Sequence, residues 1–433
     1  MTAKQSTFNG RTSTTAAAFD PHDHARLIAA RACPVTPRML ASACAVGLGL
    51  GAMNAGAATF TVKSVGDSAP GATTCAAGCT LRDAIEVANL TTATDTIKFD
   101  PAIFPLTAST TILLDMAQPD IDITTSMIIT GPGPGVITID GDADDRIFDI
   151  DNPSDPTPLV VNISGLTLTN GSVAGDGGAI ETDDAKLTIS NCVFSSNAAT
   201  GDGGAIDSDG FYSTLTVKDS VFTGNAATGD GGAIYVDDSS RVAARSLHIS
   251  NSRFSGNTAS KGGGLYIESL YSPGLIENSV IDGNTATGDG GGISLYSAVE
   301  RGTVTIRNTT ISNNTAGSDG GGVYLYSPYA QVLIDNSTIS GNSAGNDGGG
   351  IFLYYTNNFV RVRNTTIADN SATFYGCGIY LYGSNAREDT LMLQNTVVAD
   401  NSAGGAGPDL REDEGRFLAE FTMVGDTSGI GST

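Results

Sequence analysis

The chain has 433 residues and a formal net charge of −24, from 46 acidic and 22 basic residues. This charge argues against a nucleic-acid partner and against docking on anionic lipid, whereas cations or neutral glycans would suit it. The 55 glycines, the absence of tryptophan and a charged fraction of only 16% are typical of strands and turns rather than of helices.

The first predicted element is a leader in residues 1–58. The stretch Leu40 to Ala58 is weakly apolar, follows several arginines and ends in Ala55-Gly56-Ala57. These features predict a signal peptide that is cleaved near Ala57 or Ala58. An anchoring helix is the alternative, although the many Gly and Ala residues would make a poor membrane span. Because the leader is long, a translation start at Met39 or nearby also stays open.

The next predicted element is an N-terminal cap in residues 59–94. The stretch CTLRDAIEVAN, Cys79 to Asn89, begins with a capping-box pattern and carries Leu81, Ile85 and Ala88 on one side. A stack of strands leaves open edges at its ends, so we interpret this amphipathic helix as a plug at the front of the fold.

Six cysteines are too few and too scattered for a disulfide scaffold. Cys75 and Cys79 are close in sequence, and we predict one disulfide between them if the protein is exported. Cys192 and Cys377 are predicted to be buried thiols.

Residues 95–410 form a predicted array of repeats. A glycine mark followed by an apolar residue recurs about every 28 residues. A second mark, an apolar residue three positions before an asparagine, recurs in the same phase. Its asparagines are Asn197, Asn225, Asn257, Asn284, Asn314, Asn342, Asn370 and Asn401. Another Asn or Asp stands six residues before each of them.

One copy of the repeat contains three short strands separated by turn residues, each too short to bury its apolar side alone. Stacked copies would place equivalent residues about 4.8 Å apart, so the asparagines would form a structural ladder. The prediction is an all-β, single-stranded parallel β-helix of about eleven coils. A leucine-rich repeat fits less well because no leucine framework or intervening helix is present, and a propeller blade would need a longer period.

Two motifs carry a resemblance to known families. Cys79-Thr80-Leu81-Arg82-Asp83-Ala84 resembles the CSLREA motif of secreted bacterial proteins, with Thr for Ser and Asp for Glu. The glycine and asparagine marks resemble the repeats of polymorphic outer membrane proteins, and the likeness covers Thr59 to Leu410. It implies a right-handed β-helix of the pectate-lyase-like class and a secreted or cell-surface location. Such proteins often continue into an anchor, so residues 411–433 are interpreted as a tail that a longer protein could extend.

Aromatic residues predict a ligand platform on the strand that follows the glycines. The outward positions there are acidic in early copies and aromatic in later ones, and the candidates are Tyr235, Tyr266, Tyr296, Tyr324, Tyr326, Phe352, Tyr354, Tyr380 and Tyr382. An exposed aromatic surface of this kind would suit glycans or a surface protein. Ring stacking for stability alone is the alternative.

A column of aspartates before the glycines is interpreted as a set of solvated turns, because Lys261 interrupts the column and the nonapeptide calcium repeat is absent. The alternative is a calcium site with Asp289, Asp319 and Asp347 as the candidate ligands. Calcium is the one cofactor that the sequence brings into consideration.

No catalytic residue is assigned. The densest acidic segment, DGDADDR from Asp140 to Arg146, is explained equally well as a polar turn. His248 is the one histidine after the leader, and its alternation with apolar neighbours points it toward solvent. The leading hypothesis is an exported surface or extracellular protein with a structural, adhesive or glycan-binding role. The alternative is a polysaccharide lyase or glycoside hydrolase on the same fold.

Overall fold

The computed structural model describes residues 56–152, 157–210, 213–237, 247–270, 273–296, 303–326, 331–355, 360–383, 390–405 and 407–428. Almost all of the predicted leader therefore lies outside the described residues. The described chain is wound into a right-handed parallel β-helix, and the predicted all-β fold is confirmed.

Each complete coil contributes one strand to each of four parallel sheets, here named A, B, D and C in the order in which the chain meets them. Sheet A has 13 strands: Thr59–Val62, Asp95–Phe99, Met127–Thr130, Leu159–Ser164, Ala185–Ser190, Thr214–Lys218, Leu247–Ser250, Gly274–Glu277, Thr303–Arg307, Gln331–Asp335, Val360–Arg363, Thr390–Gln394 and Arg416–Glu420. Sheet B has 12 strands: Thr110–Leu113, Ile137–Asp140, Thr167–Thr169, Val193–Ser195, Val221–Thr223, Arg253–Ser255, Val280–Asp282, Thr310–Ser312, Thr338–Ser340, Thr366–Ala368, Val397–Ala399 and Met423–Val424.

The other two sheets complete the coils. Sheet D has 9 strands: Ser172–Val173, Ala198–Ala199, Ala226–Ala227, Thr258–Ala259, Thr285–Ala286, Thr315–Ala316, Ser343–Ala344, Ser371–Ala372 and Ser402–Ala403. Sheet C has 11 strands: Ile121–Ile123, Phe148–Asp151, Ile180–Asp183, Ile206–Asp209, Ile234–Asp237, Leu265–Ser269, Ile293–Tyr296, Val323–Tyr326, Ile351–Tyr354, Ile379–Tyr382 and Leu410–Asp413.

The sheets continue beyond the predicted end of the β-helix at residue 410. Arg416–Glu420 extends sheet A and Met423–Val424 extends sheet B, so most of the predicted tail is another coil. The sequence boundary was set too early because this coil lacks the glycine and asparagine marks. At the other end, Thr59–Val62 lies in the predicted cap and is already a strand of sheet A.

Register is preserved from coil to coil, so like stacks on like along the core. Phe194, Phe222 and Phe254 are equivalent residues of sheet B, and their rings stack with centroids 4.7 and 4.8 Å apart. All three rings are fully buried. Ile281 takes the same position in the next coil. Side chains alternate between the inward and the outward face of each short strand. Because the register is kept, the inward side chains of all coils form one continuous apolar core.

The corner between sheets A and B requires a left-handed backbone conformation. The residue there has a φ of 50° or 51° in eight successive coils, at Asn191, Asp219, Asn251, Asn278, Asn308, Asn336, Asn364 and Asn395. Asn and Asp tolerate this conformation better than other side-chain-bearing residues, which explains why the sequence repeats them at this position.

The repeated glycines lie just before sheet C, where the backbones of successive coils come into close contact. Gly203 has a φ of 64°. A Cβ on its neighbour Gly204 would lie 2.2 Å from the carbonyl oxygen of Gly232 in the next coil. The first glycine supplies the left-handed turn and the second permits close backbone contact, so neither function tolerates a side chain.

The second asparagine of each copy forms a buried ladder at the corner between sheets B and D. Asn314 has no exposed surface, and its Nδ2 donates to Asn342 Oδ1 at 2.9 Å and to the Ile281 carbonyl at 3.0 Å. Its Oδ1 accepts from both the backbone and the side-chain nitrogen of Asn284. Each asparagine thus satisfies buried polar groups of its neighbours. Because every member of the ladder has the same side chain, the same hydrogen bonds repeat from coil to coil.

The helix Leu81–Asn89, here α1, packs at the front of the coils. It begins with a capping box formed by Thr80 and Asp83, and it buries Leu81, Ile85 and Ala88. A disulfide joins Cys75 to Cys79, just before the helix. No helix within the described ranges is long and apolar enough to cross a membrane.

Candidate functional site on the outer face of sheet C

The outward residues of sheet C form two columns that change character along the β-helix. Early coils present carboxylates there, and these, together with Asp120 just before the first strand of the sheet, are here called the acidic zone: Asp120, Asp122, Asp149, Asp151, Glu181, Asp183, Asp207 and Asp209. Later coils present rings, and the outer row of these, here called the tyrosine ladder, consists of Tyr296, Tyr326, Tyr354 and Tyr382. In-register stacking therefore turns scattered residues into two chemically distinct surfaces.

The rings of the tyrosine ladder stack on one another. Their centroids lie 4.4 Å apart between Tyr296 and Tyr326, 5.1 Å between Tyr326 and Tyr354, and 5.2 Å between Tyr354 and Tyr382. The Nζ atom of Lys261 lies 5.7 Å from the centroid of Tyr296. Both faces of Tyr326 and Tyr354 are covered by neighbouring rings, so the interior of the ladder presents ring edges rather than free ring faces.

The aromatic residues of sheet C do not form one flat, exposed platform. The inner row of predicted platform residues is almost completely covered, with exposures of 4 to 8%. Its members are Tyr235, Tyr266, Tyr324, Phe352 and Tyr380. Alternation along the strand correctly points these residues outward, but it cannot reveal that rings of the outer row pack over Tyr324, Phe352 and Tyr380.

Arg146 is the centre of the acidic zone. Its Nη1 lies 3.0 Å from Asp120 Oδ2 and 3.4 Å from Asp149 Oδ2, and its Nη2 pairs with Glu181. Its Nε also donates to the carbonyls of Asp176 and Gly177 in the next coil. One guanidinium thus contacts three successive coils and offsets part of the repulsion between the carboxylates of the acidic zone.

Burial disfavours the charged form of several carboxylates in the acidic zone. Burial raises the pKa of Asp149 to about 7, and the charges of Asp120 and Glu181 add to this against the opposing effect of Arg146. Asp207 is only 4% exposed, and its Oδ1 has no hydrogen-bond partner among the described residues. Burial and then neighbouring carboxylates raise its pKa well above the ordinary value. The acidic zone is therefore a surface that added positive charge would stabilise.

Three carboxylates of this zone are close enough to share a cation. Ligand oxygens of Asp120, Asp122 and Asp149 lie within 4.8 Å of one another. Asp120 and Asp122 line a cavity of about 220 Å³, together with Arg82 and Glu86. The donor set is the one that Ca²⁺ prefers, but Arg146 already supplies positive charge to two of the three carboxylates, so a metal ion would have to displace it.

Sequence reasoning did not find these three residues. They precede the first glycine mark, so no repeat pattern aligned them with the acidic positions of later coils. The only signal was the place of Asp122 and Asp149 in the short alternating strands Ile121–Ile123 and Phe148–Asp151, with Asp120 directly before the first of them.

The predicted calcium ligands Asp289, Asp319 and Asp347 have a different role. Their carboxylates do not meet as a group within the part of the chain that the structure describes. Instead, Asp289 Oδ1 accepts from the Asp319 backbone N–H at 3.2 Å, and Asp319 Oδ1 accepts from the Asp347 N–H at 3.1 Å. The column caps the backbone of each following coil, which explains its regular spacing without a metal ion.

The other candidate residues lie apart. Asp140 accepts from the Asp142 backbone N–H in a local turn, so only Arg146 of the DGDADDR segment joins the acidic zone. His248 lies on sheet A, where its Nε2 is 3.1 Å from Glu277 Oε1. Cys192 and Cys377 are buried free thiols whose pKa values are raised by burial.

The fold and its repeated ladders define a repeat protein of the β-helix type. The family model described as right handed beta helix region matches residues 232–407. The model described as Chlamydia polymorphic membrane protein repeat matches residues 191–209 and 219–237. Searches among curated proteins and among solved structures found no match. The resemblance of residues 79–84 to the CSLREA motif and the pectate-lyase-like class stay predictions.

Proposed function

We propose that this chain is an exported bacterial protein of the cell surface or extracellular space, in which the β-helix is a scaffold and the outer face of sheet C adheres to a protein partner. The matches to β-helix and polymorphic membrane protein repeats support the surface location. The observation that carries the adhesive role is the division of this face into the acidic zone and the tyrosine ladder.

The chemistry of the face favours a partner with lysine and arginine side chains. Carboxylates whose pKa values are raised by burial and mutual repulsion gain most from an added cation. The edges and hydroxyl groups of the tyrosine ladder add apolar contact and hydrogen bonds, a combination that is enriched in protein interfaces. A sugar ring would need a free aromatic face to stack on, and the interior rings of the ladder have none.

Binding of the full chain to a lysine-rich peptide, a glutamate-rich peptide and a panel of neutral glycans tests this proposal. The lysine-rich peptide should bind, and added salt should weaken binding because exposed charges are screened. Asp151→Asn, at an exposed position of the acidic zone, should weaken it by about two- to fivefold. Asp219→Asn is the matched control, since this exposed turn position carries Asn in other coils. Glycan binding without peptide binding would overturn the proposal.

A carbohydrate-active enzyme is the second candidate, and one observation favours it. A cavity of about 220 Å³ is lined by Asp120 and Asp122, whose ligand oxygens lie within 4.8 Å of that of Asp149, and the pKa of about 7 of Asp149 suits a general acid. Incubation with acidic and neutral polysaccharides, with and without Ca²⁺, tests for products. Turnover that Asp149→Asn abolishes would establish the enzyme, and turnover that survives this change would place the chemistry elsewhere.

A further inference from the structure

The tyrosine ladder holds four phenol rings one above the next on successive coils. Tyr296, Tyr326, Tyr354 and Tyr382 are direct register partners in sheet C. Neighbouring rings are nearly parallel, with interplanar angles of 5°, 9° and 10°. When two parallel rings are related by a translation, each atom lies as far from its equivalent as the two centroids lie apart. The carbons ortho to the hydroxyl groups therefore lie about 4.4 to 5.2 Å from their equivalents in the next ring.

This continuous stack of phenols is confined to the outer row of sheet C. The inner row is interrupted by Ser294 and Phe352. Its one stacked pair of tyrosines, Tyr235 and Tyr266, has a centroid distance of 5.5 Å, but the two side chains are only 8% and 4% exposed. The four ladder positions are partly exposed. Within the described ranges, the ladder is thus the stack in which adjacent phenols are also within reach of a reagent in solution.

Stacked phenols have a defined oxidation chemistry. Loss of one electron and of the hydroxyl proton turns a phenol into a phenoxyl radical, whose unpaired electron is shared with the ring carbons ortho to the oxygen. Two such radicals join by a carbon–carbon bond between ortho carbons. The hydrogens on these two carbons then move to the oxygens, which restores both phenols as dityrosine. The pair has lost two electrons and two protons, and one molecule of hydrogen peroxide takes them up to form two molecules of water.

We propose that the tyrosine ladder is an oxidative cross-linking site, at which peroxide activated by a peroxidase joins neighbouring ladder rings of one chain as dityrosine. The fold holds the two partners side by side before oxidation, so coupling needs no encounter between separate molecules. The bond forms when the two rings tilt toward each other, a motion that partly exposed side chains undergo readily. Each cross-link would join two successive coils covalently on the outside of sheet C. This inference does not depend on the adhesive function.

Two matched variants test whether adjacent phenols direct the coupling. Both variants carry Tyr355→Phe and Tyr382→Phe, because the Tyr355 ring also packs against Tyr354 and Tyr382. The adjacent variant adds Tyr296→Phe, which keeps Tyr326 beside Tyr354. The alternating variant adds Tyr326→Phe instead, so that a phenylalanine separates Tyr296 from Tyr354. The two variants have the same number of tyrosines and the same number of stacked rings, and they differ in whether two phenols are neighbours in the ladder.

The full-length variants are treated with hydrogen peroxide and a peroxidase at low protein concentration. Dityrosine is measured by its fluorescence and is located by peptide mapping. The adjacent variant should form about tenfold more dityrosine within the chain than the alternating variant does. The mapped cross-link should join Tyr326 to Tyr354, and the intact mass should fall by that of two hydrogen atoms. Thermal unfolding followed by circular dichroism serves as the fold control for both variants.

Three results would overturn the proposal. Equal yields from the two variants would show that adjacency in the ladder does not direct coupling. Cross-links that join mainly separate chains, seen as dimers on a denaturing gel, would show that encounters between chains dominate. A parent chain that forms no dityrosine, under conditions that couple a free tyrosine derivative, would show that the ladder resists this oxidation.

Discussion

The asparagine ladder allows a quantitative prediction at one residue, Asn314. Replacement by Ala removes four side-chain hydrogen bonds of 2.9 to 3.0 Å, to Ile281, Asn342 and Asn284. The Asn284 backbone N–H and one hydrogen of its side-chain amide would then have no acceptor in a buried site. Each such group costs about 1–3 kcal/mol, so Asn314→Ala should lower the free energy of unfolding by about 2–6 kcal/mol. This loss is a large part of the stability of an ordinary domain.

Urea denaturation, followed by circular dichroism and by the fluorescence of the 13 tyrosines, measures the effect because the chain has no tryptophan. The matched control is Asn308→Gly in the same coil, an exposed left-handed position with a φ of 50°. Its side chain makes a surface hydrogen bond to Asn278 of 3.1 Å, and Gly suits the backbone, so the loss should stay below about 1 kcal/mol. Equal losses for the two variants would refute the energetic role of burial in the ladder.

Three further predictions follow from buried groups. Arg82 and Asp67 form an ion pair whose side chains are 2% and 1% exposed. Arg82→Met leaves the Asp67 carboxylate buried without this partner, so the free energy of unfolding in urea should fall by about 3–5 kcal/mol. Adding Asp67→Asn should recover part of this loss. Burial and neighbouring carboxylates raise the pKa of Asp319 from 3.8 to about 7. The folded state therefore binds more protons between these values, and stability should fall as the pH rises through this window. Asp319→Asn should raise the melting temperature above pH 7 and flatten its pH dependence, whereas the exposed turn variant Asp369→Asn should not. Phe222→Ala should cost about 3–5 kcal/mol because it opens a cavity between two stacked rings, and Phe222→Ile should cost clearly less; equal losses would contradict the cavity argument.

The fold was predictable because its determinants are local and repeat in phase. Asn308 marks a left-handed corner, Asn314 marks a ladder position, and Gly320 marks a turn before the next strand. Each of these residue types is selected by backbone geometry or by a buried polar group, and the constant spacing specifies which coils stack. Where the marks are missing, as in residues 411–428, the prediction stopped one coil too early.

The candidate site was only partly predictable. Alternation placed Tyr324 and Tyr326 on the outer face of their strand, but which ring row covers the other depends on how side chains pack. The acidic zone depends on Arg146, whose guanidinium reaches Asp120 and Glu181, residues of the coils before and after it in the stack. Such contacts follow from stacking distances across different coils and leave no mark in a single repeat.

The sequence by itself determined the coil, its corners and the register of its ladders, because those features are fixed by φ, by hydrogen-bonding capacity and by the period of the chain. Only the tertiary structure decided which outward residues stay exposed and where carboxylates crowd enough to raise the pKa of Asp149. These properties depend on solvent access and on charge summed over neighbouring coils, and neither quantity is encoded within one copy of the repeat.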